Sequence, residues 1–201
     1  MFFSLDGIDG VGKSTQIELF ADWLRQSGRQ VVTCRDPGGT ELGEAIRGLL
    51  LNDFGTPIGR RSEMLLYMAS RAQLVDQVIR PALLAGQVVV SDRYLLANVV
   101  YQGYAGGLDI EALWQIGRTA TDDIEPDLTL LLDMPLDKAR ARIGRELDRM
   151  EQQDDEFRER LRAGFLAEAA RRPDRIAVID ASGPPQQVHG LICRAASNLL
   201  A

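Results

Sequence analysis

The segment Gly7–Ser14 constrains this chain more than any other part of the sequence. It reads G-I-D-G-V-G-K-S and fits the phosphate-binding pattern G-x-x-x-x-G-K-[ST] at every fixed position. It follows the apolar run Phe2–Asp6, which predicts a strand, and it opens Lys13–Gln26, whose apolar residues recur at helical spacing. This order surrounds a phosphate with backbone N–H groups and a helix N-terminus. An ordinary glycine turn is the alternative, and the complete motif in its required setting makes it the weaker interpretation.

The side chains of this loop predict a nucleoside triphosphate site that also uses Mg²⁺. Lys13 is placed to reach the β- and γ-phosphates, and the Ser14 hydroxyl is placed to ligate the metal. Lys13 is one of only two lysines among 23 basic residues, so composition alone is a poor explanation for it. The residues expected to hold ATP are Gly7, Ile8, Asp9, Gly10, Val11, Gly12, Lys13, Ser14 and Thr15. GTPases, motor ATPases and small-molecule kinases all share this loop, so other residues must decide among them.

Strand-like and helix-like segments alternate along the chain. Short apolar runs predict five strands, at Phe2–Asp6, Val31–Arg35, Gln87–Ser91, Leu128–Leu132 and Ile176–Ile179. Helical spacing predicts helices at Lys13–Gln26, Glu41–Leu51, Ser62–Ile79, Leu95–Tyr101, Asp109–Ala120 and Gln186–Leu200, and a mostly helical stretch from Asp137 to Arg172 interrupted near Gly144. The alternation predicts an α/β fold with a parallel sheet covered on both faces. We find no repeat or linker, so we expect one domain over residues 1–201.

Composition excludes several classes of function. A net charge of −6 argues against nucleic-acid binding as the main role. The apolar runs are too short to span a bilayer, and the first residues lack the features of a signal peptide. Cys34 and Cys193 are far apart and lack metal-type spacing, which favours reduced thiols in a cytoplasmic protein.

Two further pairs of residues point to a second ligand. Asp92 and Arg93 follow a predicted strand, and strand carboxyl ends face the ligand crevice of an open α/β sheet. There an aspartate can hold Mg²⁺ and an arginine can bind a phosphate; the alternative is a salt-bridged strand end. Tyr67 and Arg71 lie four residues apart on one helix face. They suit base stacking and hydrogen bonding, although a boundary tyrosine with a solvated arginine is the favoured interpretation from spacing alone.

Basic residues recur at helical spacing in the charged stretch. Lys138, Arg142, Arg145 and Arg149 would share one face if the helix were continuous. Like charges on one face repel each other, so this stripe suggests a bound anion such as a phosphoryl group in transfer. The alternative is a solvated face neutralised by neighbouring carboxylates.

Six motifs together resemble bacterial thymidylate kinases in order and spacing. The segments that carry the resemblance are Gly7–Ser14, Arg35–Thr40, Ala69–Arg71, Ser91–Tyr94, Tyr101–Gly103 and Glu146–Glu151. The resemblance covers nearly the whole chain. It implies the P-loop nucleoside monophosphate kinase fold, with a five-stranded parallel sheet, a mobile lid at about residues 140–153, and a homodimer.

The resemblance also implies roles for individual residues. Asp9 would accept a hydrogen bond from the sugar 3′-hydroxyl, and Tyr67 would stack on thymine where the family usually has Phe. Arg71 would donate to a thymine carbonyl, while Arg47 and Arg93 would hold the dTMP phosphate. Three more residues expected near dTMP are Asp36, Asn98 and Gln102, and the expected metal ligands are Ser14 and Asp92. Asp6 and Asp36 stand where the family commonly has Glu, which shortens their reach by one methylene.

The resemblance implies that catalytic arginines come from the lid. Positions 8–11 of the phosphate loop carry no basic residue, so we expect Arg142, Arg145 and Arg149 to act with Lys13 and Arg93. The predicted reaction is phosphorylation of dTMP by ATP and Mg²⁺. The alternatives are a kinase for another monophosphate, such as dUMP or CMP, or a non-catalytic P-loop switch, although no guanine-reading N-K-x-D segment occurs.

Overall fold

The computed structural model describes residues 1–52, 57–143 and 154–200. Its five strands form a single parallel sheet with the order β2-β3-β1-β4-β5. The strands are β1 (Phe2–Asp6), β2 (Val31–Arg35), β3 (Val88–Asp92), β4 (Leu128–Asp133) and β5 (Ile176–Asp180). The predicted five-stranded parallel sheet is therefore confirmed, with strand ends within one residue of those expected.

The central strand β1 is covered on both faces of the sheet. All five residues of β1 are buried, and successive side chains of a strand point to opposite faces. Both faces of β1 are therefore packed against other elements, as in α/β proteins. In register, Leu5 lies beside Asp92 on β3 and beside Leu130 on β4. The carboxyl ends of the strands consequently share one edge of the sheet.

Nine α-helices are present in the described part of the chain. They are α1 (Lys13–Gln26), α2 (Glu41–Leu51), α3 (Arg60–Leu74), α4 (Arg80–Leu84), α5 (Leu95–Asn98), α6 (Ile110–Thr121), α7 (Leu136–Ala141), α8 (Asp155–Arg171) and α9 (Pro185–Leu200). None of these described helices has the length and apolar character needed to cross a membrane.

Two helical segments widen into π-helical turns that sequence spacing did not predict. The helix expected over Ser62–Ile79 is α3 followed by a π-helical segment at Val75–Ile79, and α4 continues past Pro81. The helix expected over Leu95–Tyr101 is α5 followed by a π-helical segment at Val99–Ala105. Turns of this kind often accompany functional sites. The second segment packs against α8 and carries residues of the site described below.

Candidate active site

A cavity of about 930 Å³ opens at the carboxyl edge of the sheet. Most of the residues predicted to bind ATP, dTMP or Mg²⁺, and one predicted only to be catalytic (Arg142), line it. They are Asp9, Gly10, Val11, Gly12, Lys13, Ser14, Thr15, Asp36, Arg47, Tyr67, Arg71, Asp92, Arg93, Asn98, Gln102 and Arg142. Gly7 and Ile8 do not line the cavity, and the Lys13 ammonium donates hydrogen bonds to their carbonyls at 3.1 and 3.0 Å.

Gly10 and Gly12 of the phosphate loop must be glycine for different reasons. Gly12 has a φ of 94°, in the left-handed region, and α1 begins at the next residue with no side-chain cap. The first N–H groups of α1 are thus left for a ligand. Gly10 has a φ of 87°, and a Cβ there would lie 2.1 Å from the carbonyl oxygen of Ala139. This close contact fixes the loop against the end of α7.

Asp9 contacts two cationic side chains, Lys13 of the phosphate loop and Arg93 after β3. Arg93 donates from Nη2 to Asp9 Oδ1 at 2.6 Å, Lys13 approaches the same oxygen at 3.4 Å, and the Tyr101 hydroxyl donates to Oδ2 at 3.0 Å. The Arg93 guanidinium also lies 5.0 Å from the centre of the Tyr101 ring. Arg93 itself has a φ of 64°, a strained conformation for a residue with a side chain. Two cations are therefore concentrated beside the phosphate loop.

These contacts shift the ionisation of the groups involved. Burial opposes the charged form of Asp9, but the charges of Arg93 and Lys13 outweigh it and hold the pKa of Asp9 well below its usual range. Burial, together with the charge of Arg93, lowers the pKa of Lys13, and Asp9 opposes that effect. Asp9 therefore stays ionised between the two basic groups, and an anionic ligand beside Lys13 would strengthen the charged form that burial disfavours.

Arg71 forms the floor of a second region of the cavity. It is only 1% exposed, its Nε donates to Asp36 Oδ2, and its Nη1 donates to Asn98 Oδ1 at 3.0 Å. Asp36 follows β2 and precedes Pro37, and the peptide bond between them is cis. From spacing alone Arg71 could have been a solvated residue; its burial rejects that interpretation. A buried arginine needs fixed partners, and here it has them on two of its three nitrogens.

Arg47 and Tyr67 complete this region. Arg47 donates to the carbonyl oxygen of Pro37 at 2.9 Å, which aims its side chain toward the loop that follows β2. Tyr67 is half-buried on α3 and lines the cavity together with Arg71. The tyrosine and the arginine therefore share the cavity-facing side of α3, as their spacing predicted.

Several buried polar atoms at this edge lack a hydrogen-bond partner within the described ranges. These atoms are Asp6 Oδ1, Asp36 Oδ1, Asp92 Oδ1 and Arg93 Nη1, together with Gln16 Oε1. Unsatisfied buried groups are rare in native proteins and call for an explanation. Their convergence beside the phosphate loop fits a site that binds charged ligands and cations.

The predicted basic stripe is not a continuous helix. Helix α7 ends at Ala141, and Arg142 turns back to donate to the carbonyl oxygens of Ala181 and Ser182 at 3.0 and 3.2 Å. Lys138 is exposed on α7. Arg145 and Arg149 lie outside the described residues, as does most of the expected lid.

Sequence reasoning missed two parts of the cavity wall. One is the segment Ala181–Pro185, formed by the loop after β5 and the first residue of α9; it lines the cavity, and Gln16 donates to the carbonyl oxygen of Pro185 at 2.9 Å. The sequence feature that could have indicated this segment is its position directly after the last predicted strand, because ligands bind at the edge where the strand carboxyl ends meet. The other is Tyr101, which belongs to the motif Tyr101–Gly103; its contacts with Asp9 and Arg93 are apparent only in the tertiary structure.

Comparisons with known proteins agree with this geometry. The sequence model of the family described as thymidylate kinase matches residues 5–192. A thymidylate kinase of Rhodopirellula baltica is 48% identical over 92% of this chain and 75% of its own length. One from Pelotomaculum thermopropionicum is 46% identical over 99% of this chain and 94% of its own length.

A solved structure shares the fold as well. The crystal structure of thymidylate kinase from Ehrlichia chaffeensis superposes with a TM-score of 0.81 and is 31% identical, and 97% of each chain is covered. The phosphate loop, the buried arginine pocket and these similarities together lead to one conclusion: this chain belongs to the thymidylate kinase family.

Proposed function

We propose that this protein transfers the γ-phosphoryl group of ATP to dTMP, forming dTDP and ADP. The observation that carries the proposal is the union of two binding regions in one cavity, the phosphate loop and the pocket around buried Arg71. Phosphoryl transfer between two nucleotides requires both ligands end to end in one space, whereas a switch requires only the first. Family membership supports the same pair of substrates.

The ATP side of the cavity follows from the sheet order. Strands β4 and β5 lie on one side of β1, and β2 and β3 lie on the other. The phosphate loop after β1 would bind the phosphates through its N–H groups and Lys13. The segment Ala181–Pro185 between β5 and α9, held by Arg142 and Gln16, would then face the nucleoside part of ATP.

The dTMP side lies toward β2 and β3. Arg71 would donate to a thymine carbonyl and Tyr67 would stack on the ring, which suits a flat base with polar edges. Arg47 and Arg93 would bind the monophosphate, and Asp9 would accept from the 3′-hydroxyl. The unpartnered Arg93 Nη1 supports this role, because a phosphate oxygen would satisfy it. Asn98 and Gln102 would complete the base pocket from the Val99–Ala105 side.

The residues present fit a Mg²⁺ ion. The described residues contain no cluster of three or more metal-ligating side chains, but Mg²⁺ in kinases takes only one or two protein ligands and is otherwise held by phosphates and water. Ser14 and Asp92 line the same cavity, and Asp92 Oδ1 is buried without a described partner. These two residues would hold the ion, which would neutralise charge on the phosphates.

The transfer itself requires positioning and charge more than acid–base chemistry. A dTMP phosphate is largely dianionic at neutral pH, so its oxygen needs no strong base to become nucleophilic. Lys13 and Arg93 would stabilise charge at the phosphoryl group in transfer, a role worth several kcal/mol in related chemistry. Arg142, Arg145 and Arg149 are proposed to add to this from the lid at about residues 140–153, whose closure would exclude water.

The decisive experiment measures ADP release by the purified protein with a panel of monophosphates. We expect dTMP to give the highest kcat/KM, with dUMP roughly ten- to a hundredfold lower, because one methyl group in an apolar pocket is worth about 1–3 kcal/mol. Preferred turnover of CMP or UMP would reject the substrate assignment. ADP release independent of any monophosphate would instead favour a simple ATPase or switch.

Three further predictions accompany this function. The whole chain would act as one kinase domain, it would operate in the cytoplasm, and it would form a homodimer. Sedimentation at micromolar concentration tests the last of these directly.

A further inference from the structure

A chain of buried hydrogen bonds connects Glu63 to Arg71. Gln102 Nε2 donates to Glu63 Oε1 at 3.0 Å, and Asn98 Nδ2 donates to Gln102 Oε1 at 2.6 Å. Arg71 Nη1 then donates to Asn98 Oδ1 at 3.0 Å. All four side chains are buried, so water is a poor substitute for any of these bonds.

The chemistry of the two ends gives this chain a single direction. The Glu63 carboxylate oxygen accepts a hydrogen bond from Gln102, and the guanidinium of Arg71 can only donate. Gln102 must therefore turn its NH₂ toward Glu63, which leaves its oxygen for Asn98. Asn98 must in turn present its oxygen to Arg71. Flipping either amide would place two donors or two acceptors face to face.

This direction controls what Arg71 offers to a ligand. Its Nη1 is engaged by Asn98 and its Nε by Asp36. The structure records no hydrogen bond for Nη2 among the described residues, and Arg71 lines the cavity. The Tyr94 ring, 5.6 Å from the guanidinium carbon, supports the group from one side. The guanidinium plane is thus held from several sides, with the Nη2 nitrogen left to donate to a ligand.

We infer that Glu63 is a positioning residue for base recognition, acting on Arg71 through Gln102 and Asn98. Glu63 is not among the residues that line the 930 Å³ cavity, and the hydrogen bonds of the described residues connect it to Arg71 through the two amides. The inference rests on the proposed function, in which Arg71 donates to a thymine carbonyl. It extends that function by making Glu63, a residue behind the pocket, responsible for the preference for a base carbonyl over a base amino group.

The test begins with Glu63→Gln, which keeps the size of the side chain. A glutamine at position 63 can donate as well as accept, so Gln102 and Asn98 lose their single orientation. We expect KM for dTMP to rise about fivefold, with kcat within about twofold and KM for ATP unchanged. Cytosine carries an amino group where thymine has a carbonyl. The ratio of kcat/KM for dTMP to that for dCMP should therefore fall about tenfold.

A double variant separates orientation from a general loss of structure. Glu63→Gln combined with Gln102→Glu moves the acceptor-only side chain from position 63 to position 102, next to Asn98. Asn98 must then turn its NH₂ toward position 102 and its oxygen toward Arg71. Gln102 is itself placed in the base pocket, so the absolute kcat/KM values of the double variant should fall. Its ratio of kcat/KM for dTMP to that for dCMP should nevertheless return to within about threefold of the original ratio, because the orientation of Asn98 fixes the donor offered to the base.

Glu168→Gln is the matched control. Glu168 is also a fully buried carboxylate, accepting from the Tyr104 hydroxyl at 2.8 Å and from Trp114 Nε1 at 3.2 Å, but it has no bond to the Glu63–Arg71 chain. This variant should lower the melting temperature without altering the dTMP to dCMP ratio.

Two outcomes would overturn the inference. One is a folded Glu63→Gln variant with an unchanged dTMP to dCMP ratio. The other is a lowered dTMP to dCMP ratio in Glu63→Gln that the double variant does not restore. Failure of the proposed function gives a different result, since the unmodified protein would then release no ADP in response to dTMP.

Discussion

Replacement of Asp6 by Asn provides a quantitative test of the electrostatics beneath the phosphate loop. Asp6 is the last residue of β1 and is fully buried, and Ser4 donates a hydrogen bond to its Oδ2. Its Oδ1 has no partner within the described residues. Burial raises the pKa of Asp6 from 3.8 to about 6, although Ser4, Arg93 and Lys13 oppose this rise. The charged form of Asp6 therefore destabilises the folded protein.

The size of this effect follows from the pKa shift. A rise from 3.8 to about 6 is about two units, and each unit corresponds to about 1.36 kcal/mol, so ionised Asp6 costs about 3 kcal/mol at pH 8. Between these two pKa values the folded state binds more protons than the unfolded state, so this contribution to stability falls as pH rises. At pH 5 the cost is about half of its full value. Asn does not ionise and lacks this pH dependence.

Urea unfolding of both proteins at pH 5 and pH 8 measures the difference. Trp23 and Trp114 provide the fluorescence signal, and low micromolar protein limits precipitation near the sequence pI of about 4.9. The stability of Asp6→Asn relative to the original protein should increase by about 1.5 kcal/mol from pH 5 to pH 8. The fixed cost of exchanging oxygen for NH₂ cancels in this comparison. A pH-independent difference, or one of opposite sign, would show that Asp6 is not destabilised by burial.

Three further predictions concern the proposed reaction. Lys13→Ala should lower kcat about 10²- to 10³-fold with dTMP binding retained, since it removes one cation at the transferring group; a folded variant with a near-normal steady-state rate would contradict the phosphate role. Tyr67→Ala should weaken dTMP binding about tenfold, the loss expected for one stacked base, and leave ATP binding unchanged in calorimetry. Equal losses for both nucleotides would argue against stacking. Arg142→Ala releases the Ala181 and Ser182 carbonyls and should raise KM for ATP about fivefold while KM for dTMP stays constant. Its proposed role at the phosphoryl group in transfer adds a fall in kcat. The reverse pattern in initial-rate kinetics would place Arg142 on the dTMP side.

The sequence by itself determined the sheet and the phosphate loop. Helix α1 spans Lys13–Gln26 as its apolar spacing predicted, and all five strands lie where apolar runs predicted them. These features are local, because a helix or strand depends on the periodicity of neighbouring residues and the loop depends on glycines at fixed spacing. Family membership was likewise apparent from the ordered motifs, and the comparisons confirmed it.

Tertiary structure decided which side chains meet. Spacing favoured a solvated Arg71, yet Asp36, 35 positions away in sequence, buries it in an ion pair. Spacing gave Arg142 a place on a basic helix face, but the helix ends at Ala141 and the arginine bonds to a loop 39 positions further along. The sequence pattern gave no indication of a role for Glu63, because the inferred role depends on a hydrogen bond from Gln102 in a different helical segment. Periodicity along one segment carries no information about the polar partners that another segment supplies, and burial makes those partners decisive.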